Sequence, residues 1–180
     1  YYKGIFTTLS SCASRQLEEV TFRRATISVP ELMATAGKYF RKVYKGNKAH
    51  IDFKIQLLEG RITGDWNQLR FLLENLIDVA CSVTLDGAVC LSAREDGEFI
   101  RFLFTDMRRE KTREELNQLF YPDLSRMTAG EKGELYGTEY LVCKQIIRDH
   151  DEFAGRRGCR INAEPAEGGG FTVYFTIPRR

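Results

Sequence analysis

Histidine is scarce in this chain. His50 and His150 are the only two among 180 residues, and no two of the five cysteines stand in a Cys-x-x-Cys pair. Without clustered imidazoles or thiolates there is no ligand set for zinc, and no metal site is expected. Cys12, Cys81, Cys90, Cys143 and Cys159 are odd in number and far apart, and several fall on apolar stripes. They read as small core residues of a protein kept in a reducing compartment. No apolar run is long enough to cross a bilayer. Charge of one sign is also lacking: the net charge is +2, too mild to argue for nucleic acid. No internal repeat is visible. What is present is ordinary, 43% hydrophobic and 29% charged residues, enough to bury one core in one domain with a short appendage. The chain opens on Tyr1 rather than Met, and it is read as a piece of a longer protein.

The stretch 65–84 organises the rest. Leu69, Leu72, Leu73, Leu76, Ile77 and Ala80 recur at steps of three and four, which places them on one stripe of an α-helix. Asp65 stands where its carboxylate can accept from the free amides of the first turn. The C-terminal half carries Asn75-Leu76-Ile77-Asp78-Val79-Ala80, with the Asn75 amide beside the stripe rather than on it.

Around this helix the chain reads as follows. Leu9, Ala13, Leu17 and Val20 have helical spacing, so an amphipathic helix is expected at the start. A short β-branched strand over 26–29 leads through Pro30 into a helix over 31–44 with Leu32, Ala36, Phe40 and Val43 inward, ended by Gly46-Asn47. Lys38, Arg41, Lys42, Lys45 and Lys48 make one basic face, read as solvated helix surface. Ile51, Phe53 and Ile55 alternate with polar residues as in a half-buried strand, and 61–63 is a second short strand. Asp86-Gly87 predicts a hairpin turn into a strand over 88–93, and Asp96-Gly97 joins that strand to 98–105, with Asp106 emerging at its end. Residues 113–120 predict a helix, 121–137 a non-periodic stretch of lid-like character, and 138–150 a helix with Tyr140, Cys143, Ile146 and Ile147 inward. Strands over 159–163 and 171–177 close the chain. His50 and His150 read as surface or helix-capping residues. The pattern predicts an α+β two-layer sandwich, a mixed and mostly antiparallel sheet with helices packed on one face. Residues 1–25 are expected to be an N-terminal helix and linker, and 26–180 the domain.

Several of these runs resemble boxes of the ATP-binding domain shared by sensor histidine kinases, gyrase, heat-shock chaperones and MutL proteins, the Bergerat-type ATPase fold. The run Asn75 to Ala80 is similar to the N box, Asn-Leu-Ile-x-Asn-Ala, with Val79 where the second Asn belongs. Asp106-Met107-Arg108-Arg109-Glu110 stands where the family has Asp-x-Gly-x-Gly: the aspartate is kept and both glycines are gone. Leu119-Phe120-Tyr121-Pro122 resembles the F box. The run from Gly137 to His150 is similar to the last glycine-rich box, with Glu139 replacing its second glycine, and 170–178 resembles the closing strand. The resemblance covers 26–180.

The resemblance implies a site for ATP and Mg²⁺, and the departures imply that it is vestigial. Asn75, Asp106 and Gly137 are its expected remnants, Asp106 as the group facing adenine. Val79 offers hydrocarbon where an amide oxygen would hold a hard cation, and Asn75 stands where hydrolytic relatives carry a general-base Glu, a role an amide cannot fill. Arg108, Glu110 and Glu139 put side chains where glycines let the backbone approach the nucleotide, and Glu139 repels phosphate. Arg108, Arg109 and Lys111 are read as a solvated loop rather than as phosphate ligands. Neither histidine fits the role of phosphoacceptor. No catalytic residue and no resident cofactor are therefore expected. The first reading is a degenerate histidine-kinase-like domain, a regulatory or interaction module of a cytoplasmic signalling chain whose parent is open to membrane anchoring. Protein partners are expected, with homodimerisation through the N-terminal helix and no nucleic-acid or membrane contact by this piece. The alternative is a divergent, active ATP-binding domain of a two-component sensor kinase, with ATP and Mg²⁺ bound.

Overall fold

A computed structural model describes residues 21–121 and 137–180. The expected N-terminal helix, and all of the non-periodic stretch except its two ends, lie outside the described residues. Strand β1 (Ala25–Ser28) pairs antiparallel with β3 (Arg61–Gly64), setting Ile27 opposite Ile62, both buried. Helix α1 (Val29–Val43) starts two residues earlier than its periodicity predicts, because the Ser28 hydroxyl accepts from the Glu31 amide and Pro30 needs no donor partner in the first turn. Leu32 and Ala36 face inward as expected and Phe40 is half-buried, but Val43 is 48% exposed. The helix ends at Val43 and Gly46, at φ +84°, turns the chain away.

Strand β2 (Ile51–Ile55) precedes β3, and α2 (Trp66–Ser82) follows it. Asp65 is the N-cap of α2, accepting from the Gln68 amide at 3.1 Å. Then come β4 (Gly87–Asp96), β5 (Phe99–Asp106), α3 (Arg113–Phe120), α4 (Gly137–Phe153), β6 (Ile161–Pro165) and β7 (Phe171–Pro178). The five-stranded sheet runs β2-β4-β5-β7-β6, antiparallel throughout except for the parallel pair β2 and β4. Helices cover one face, the architecture expected.

Asp86-Gly87 is not a hairpin. The residues before it are the end of α2, and Gly87 opens β4 beside the parallel strand β2, its amide donating to the His50 carbonyl at 3.1 Å. The Asp86 carboxylate accepts from the His50 amide at 2.7 Å, so the Asp-Gly pair splices strand to strand without reversing the chain. Asp96-Gly97 does make the hairpin between β4 and β5.

The core is continuous from helices to sheet. Leu69, Leu72, Leu73, Leu76 and Ile77 of α2 share it with Phe102 of β5 and Phe175 of β7, whose rings stack at 4.9 Å in cross-strand register. Tyr140, Cys143, Ile146 and Ile147 of α4 are all buried, as their spacing predicts. Of the histidines, His50 is exposed but His150 is fully buried. It lies inside α4, which runs on to Phe153, and its Nε2 accepts from the amide of Asp65 at 3.0 Å. One imidazole thereby satisfies an orphan donor at the start of another helix.

Candidate functional site

Asp106 is the last residue of β5, 2% exposed, opposite Val89 on one side and Phe171 on the other. The turn before Phe171 comes close behind it. A Cβ on Gly170, at φ +83°, would sit 2.1 Å from the Asp106 carbonyl oxygen, so only glycine fits there.

The carboxylate does not face open space. Arg108 folds back onto it: its amide and its Nε both donate to Oδ1, at 3.0 and 2.9 Å, and Nη2 donates to Oδ2 at 2.9 Å. Nη1 donates to the carbonyls of Val83 and Leu85, both at 2.9 Å, and Nη2 to that of Ala80 at 2.5 Å. A guanidinium has five N–H donors, and these bonds use every one. The side chain is 0% exposed. The expectation of a solvated loop is therefore wrong for Arg108, because three carbonyls at and just after the end of α2 and a buried carboxylate together offer more than water does. Gly87 makes room for it. A Cβ there would stand 2.7 Å from Arg108 Cγ, and its φ of +135° disfavours any other residue.

Arg109 and Lys111 stay beside this pair. Arg109 Nε is 3.8 Å from Asp106 Oδ2, and both cations sit over the Phe171 ring, at 5.7 and 5.6 Å. Burial, then the Arg109 charge, pulls the Lys111 ammonium below its usual range. Glu110 is exposed and does not enter the site.

The other residues singled out in the sequence lie on α2 and across on α4. Asn75 is buried rather than beside the stripe, 6% exposed, its Nδ2 without a hydrogen-bond partner. It faces the Cys143 thiol closely enough to act on it electrostatically, and that thiol points to the Leu72 carbonyl at 3.9 Å. Val79 is 4% exposed, a hydrocarbon in the shared core. Gly137 is the first residue of α4. Glu139, in the first turn, has a buried Oε2 with no partner. Burial, with the Asp78 carboxylate adding to it, pushes its carboxyl up to about 7.

Asp78 is the residue that sequence reasoning passed over. Tyr39 and Tyr44, both from the α1 side, donate to its Oδ1 at 2.7 and 2.6 Å. Burial raises its carboxyl while the two phenols oppose the rise, and the phenols themselves are pushed upward by burial and by this bond. No spacing rule pointed to it, since Tyr39 and Tyr44 are five residues apart and Tyr44 caps the end of α1, and only packing brings both to Asp78. Helix α2 is thus tied to α1 by Asp78, to β5 by Arg108, and to α4 by Asp65 and His150. Among the described residues no cluster of three or more His, Cys, Asp or Glu side chains is arranged to hold a metal ion.

The comparisons agree with this geometry. The catalytic domain of the histidine kinase ThkA, free of nucleotide, superimposes with a TM-score of 0.66 at 20% identity, over 87% of this chain and 96% of that one. Full-length ShkA, in complex with AMPPNP, gives 0.73 at 16% identity, over 98% of this chain and 35% of that one. ThkA in complex with the response regulator TrrA gives 0.68 at 17% identity, over 99% of this chain and 49% of that one. Among curated proteins there is no match. A family profile described as histidine kinase-, DNA gyrase B- and HSP90-like ATPase matches residues 64–180, and the chain belongs to that family.

Proposed function

We propose that this domain is a degenerate histidine-kinase-like ATPase domain, with ATP binding weak or lost, serving as a regulatory or interaction module of a signal-transduction protein. The observation that carries the reading is the Arg108 side chain. In the family the aspartate after this strand meets the adenine amino group; here both oxygens of Asp106 are already held by a buried guanidinium. For adenine to reach the carboxylate, Arg108 must give up its two side-chain bonds to Asp106, each worth about 1 kcal/mol or more, and swinging the guanidinium away would also break its bonds to the carbonyls of Ala80, Val83 and Leu85. The residues around it fit Mg-ATP poorly for separate reasons. Val79 supplies no oxygen to a cation that takes only oxygen ligands, and the Glu139 carboxyl adds negative charge, once ionised, near the start of α4, where a phosphate would need donors. A protein-binding role is in keeping with the neighbour ThkA, which is seen in complex with a response regulator.

The test is thermal. Millimolar Mg-ATP should leave the melting temperature nearly unchanged, whereas a site with a Kd one-hundredth of the ligand concentration would add about 2.7 kcal/mol and raise it by several degrees. A shift of that size, abolished by Asp106→Asn, would overturn the reading and favour a divergent active kinase domain.

A further inference from the structure

The strongest surface feature outside this site is the second half of α1 and the turn after it. Lys38, Arg41, Lys42, Lys45 and Lys48 are all exposed. The first four fall at i, i+3, i+4 and i+7, one face of a helix, and that face is opposite to Leu32, Met33 and Ala36, which are buried. Between Glu31 and Asp52 there is no acidic residue, and none of the five cations has an ion-pair partner among the described residues. The whole chain carries +2, so these five leave the remainder at 2 − 5 = −3. The excess of positive over negative charge is therefore concentrated on this face.

We infer that this face docks on an anionic lipid bilayer. Four of the five cations are lysine, and lysine is depleted in the cores of protein–protein interfaces, where arginine, tyrosine and tryptophan dominate. A lysine is a compact charge on a flexible stem, suited to a diffuse sheet of negative headgroups and not to the planar, bidentate recognition of particular carboxylates. Nucleic acid would also attract such a face, but Asn47, the amide among these cations, has its Nδ2 buried, and Tyr39, Phe40 and Tyr44 are half-buried rather than exposed for stacking on bases. Clusters of four to eight lysines or arginines on a helix have the strength needed to hold a protein at an anionic membrane surface. Val43, 48% exposed between Lys42 and Lys45, adds an apolar side chain at the same end of the helix. The buried face of α1 is packed in the core, so the contact is electrostatic and peripheral. Among the described residues no helix is long and apolar enough to span the membrane. This inference does not rest on the loss of ATP binding.

Sedimentation of the 180-residue chain with vesicles tests it. Vesicles of phosphatidylcholine with roughly a third phosphatidylglycerol should carry the protein down at low salt and release it near 0.5 M salt, where charge is screened within a few ångström. Vesicles of phosphatidylcholine alone should not. The variant K42E/K45E should lose about tenfold or more in vesicle affinity. The variant R94E/R156E, which makes the same change in net charge at exposed positions elsewhere, should retain it. Both should melt within about a degree of the parent, since exposed charges contribute little to stability. No sedimentation with anionic vesicles, equal loss in both variants, or tighter binding to a DNA duplex than to the vesicles would each overturn the inference.

Discussion

Replacing Arg108 with methionine keeps most of the side chain's volume and removes its charge. Asp106, 2% exposed, would then keep only the residue-108 amide on Oδ1 and, on Oδ2, the longer Arg109 contact at 3.8 Å. Breaking a buried pair by deleting one partner costs roughly 3 to 5 kcal/mol, because it strands an uncompensated charge. The carbonyls of Ala80, Val83 and Leu85 lose the Arg108 donors at the same time, although those of Ala80 and Val83 keep the amides of Val83 and Leu85. For a chain of this size each kcal/mol shifts the melting temperature by about 2 to 4 °C, so a fall of roughly 6 to 20 °C is expected. Urea unfolding should show a lower midpoint at unchanged slope, since the same surface is exposed on unfolding. The double variant Arg108→Met with Asp106→Asn should be more stable than Arg108→Met alone, because a buried amide without its partner costs less than a buried carboxylate without one. A loss below about 1 kcal/mol for Arg108→Met would place the guanidinium in solvent and remove the basis for regarding the Asp106 carboxylate as occupied.

Leu73 is 1% exposed in the centre of α2, and Leu73→Ala should cost roughly 2 to 5 kcal/mol by opening a cavity; equilibrium unfolding checks it, and a loss under about 1 kcal/mol would take Leu73 out of the core. Glu139 gives the pH dependence a definite sign. Its folded carboxyl titrates near 7, above the usual 4.5, so the folded state binds the extra proton between those values. The stability from its neutral form is full below about 4.5 and is lost as pH rises through about 7. Urea midpoints taken across that window should therefore decline more steeply for the parent than for Glu139→Gln, and parallel profiles would refute the assignment.

Local pattern was enough wherever a residue's environment followed from its neighbours in sequence. The stripe of Leu69, Leu72, Leu73, Leu76 and Ile77 and the inner face of α4 fall where the period of 3.6 puts them, because burying such a stripe leaves one orientation open to it, whereas β7 alternates in sequence yet is buried on both faces, Thr172 and Thr176 included. The order of these elements, and the runs around Asn75, Asp106 and Gly137, carried the fold and the family. Boundaries were less legible: Val43 belongs to the inner stripe by spacing, yet it ends α1 and half of it meets solvent.

Contacts between residues far apart in sequence were decided only by tertiary structure. Asp86-Gly87 has the composition of a hairpin, and it became a splice because β4 found a parallel partner in β2, which no local rule anticipates. His150 stands in the last turn of its own helix, yet its imidazole Nε2 serves the N-cap residue of α2. Above all, Arg108 reads as solvated in a run with Arg109 and Glu110. It is buried because the end of α2, the start of β4 and the end of β5 converge, bringing three carbonyls, a glycine without a Cβ and a carboxylate within reach of one guanidinium. The sequence alone showed that the glycines of a nucleotide site had been replaced. That Arg108 is buried against the Asp106 carboxylate is a property of the packed chain, since only there can the cost of burying a charge be met by five bonds at once.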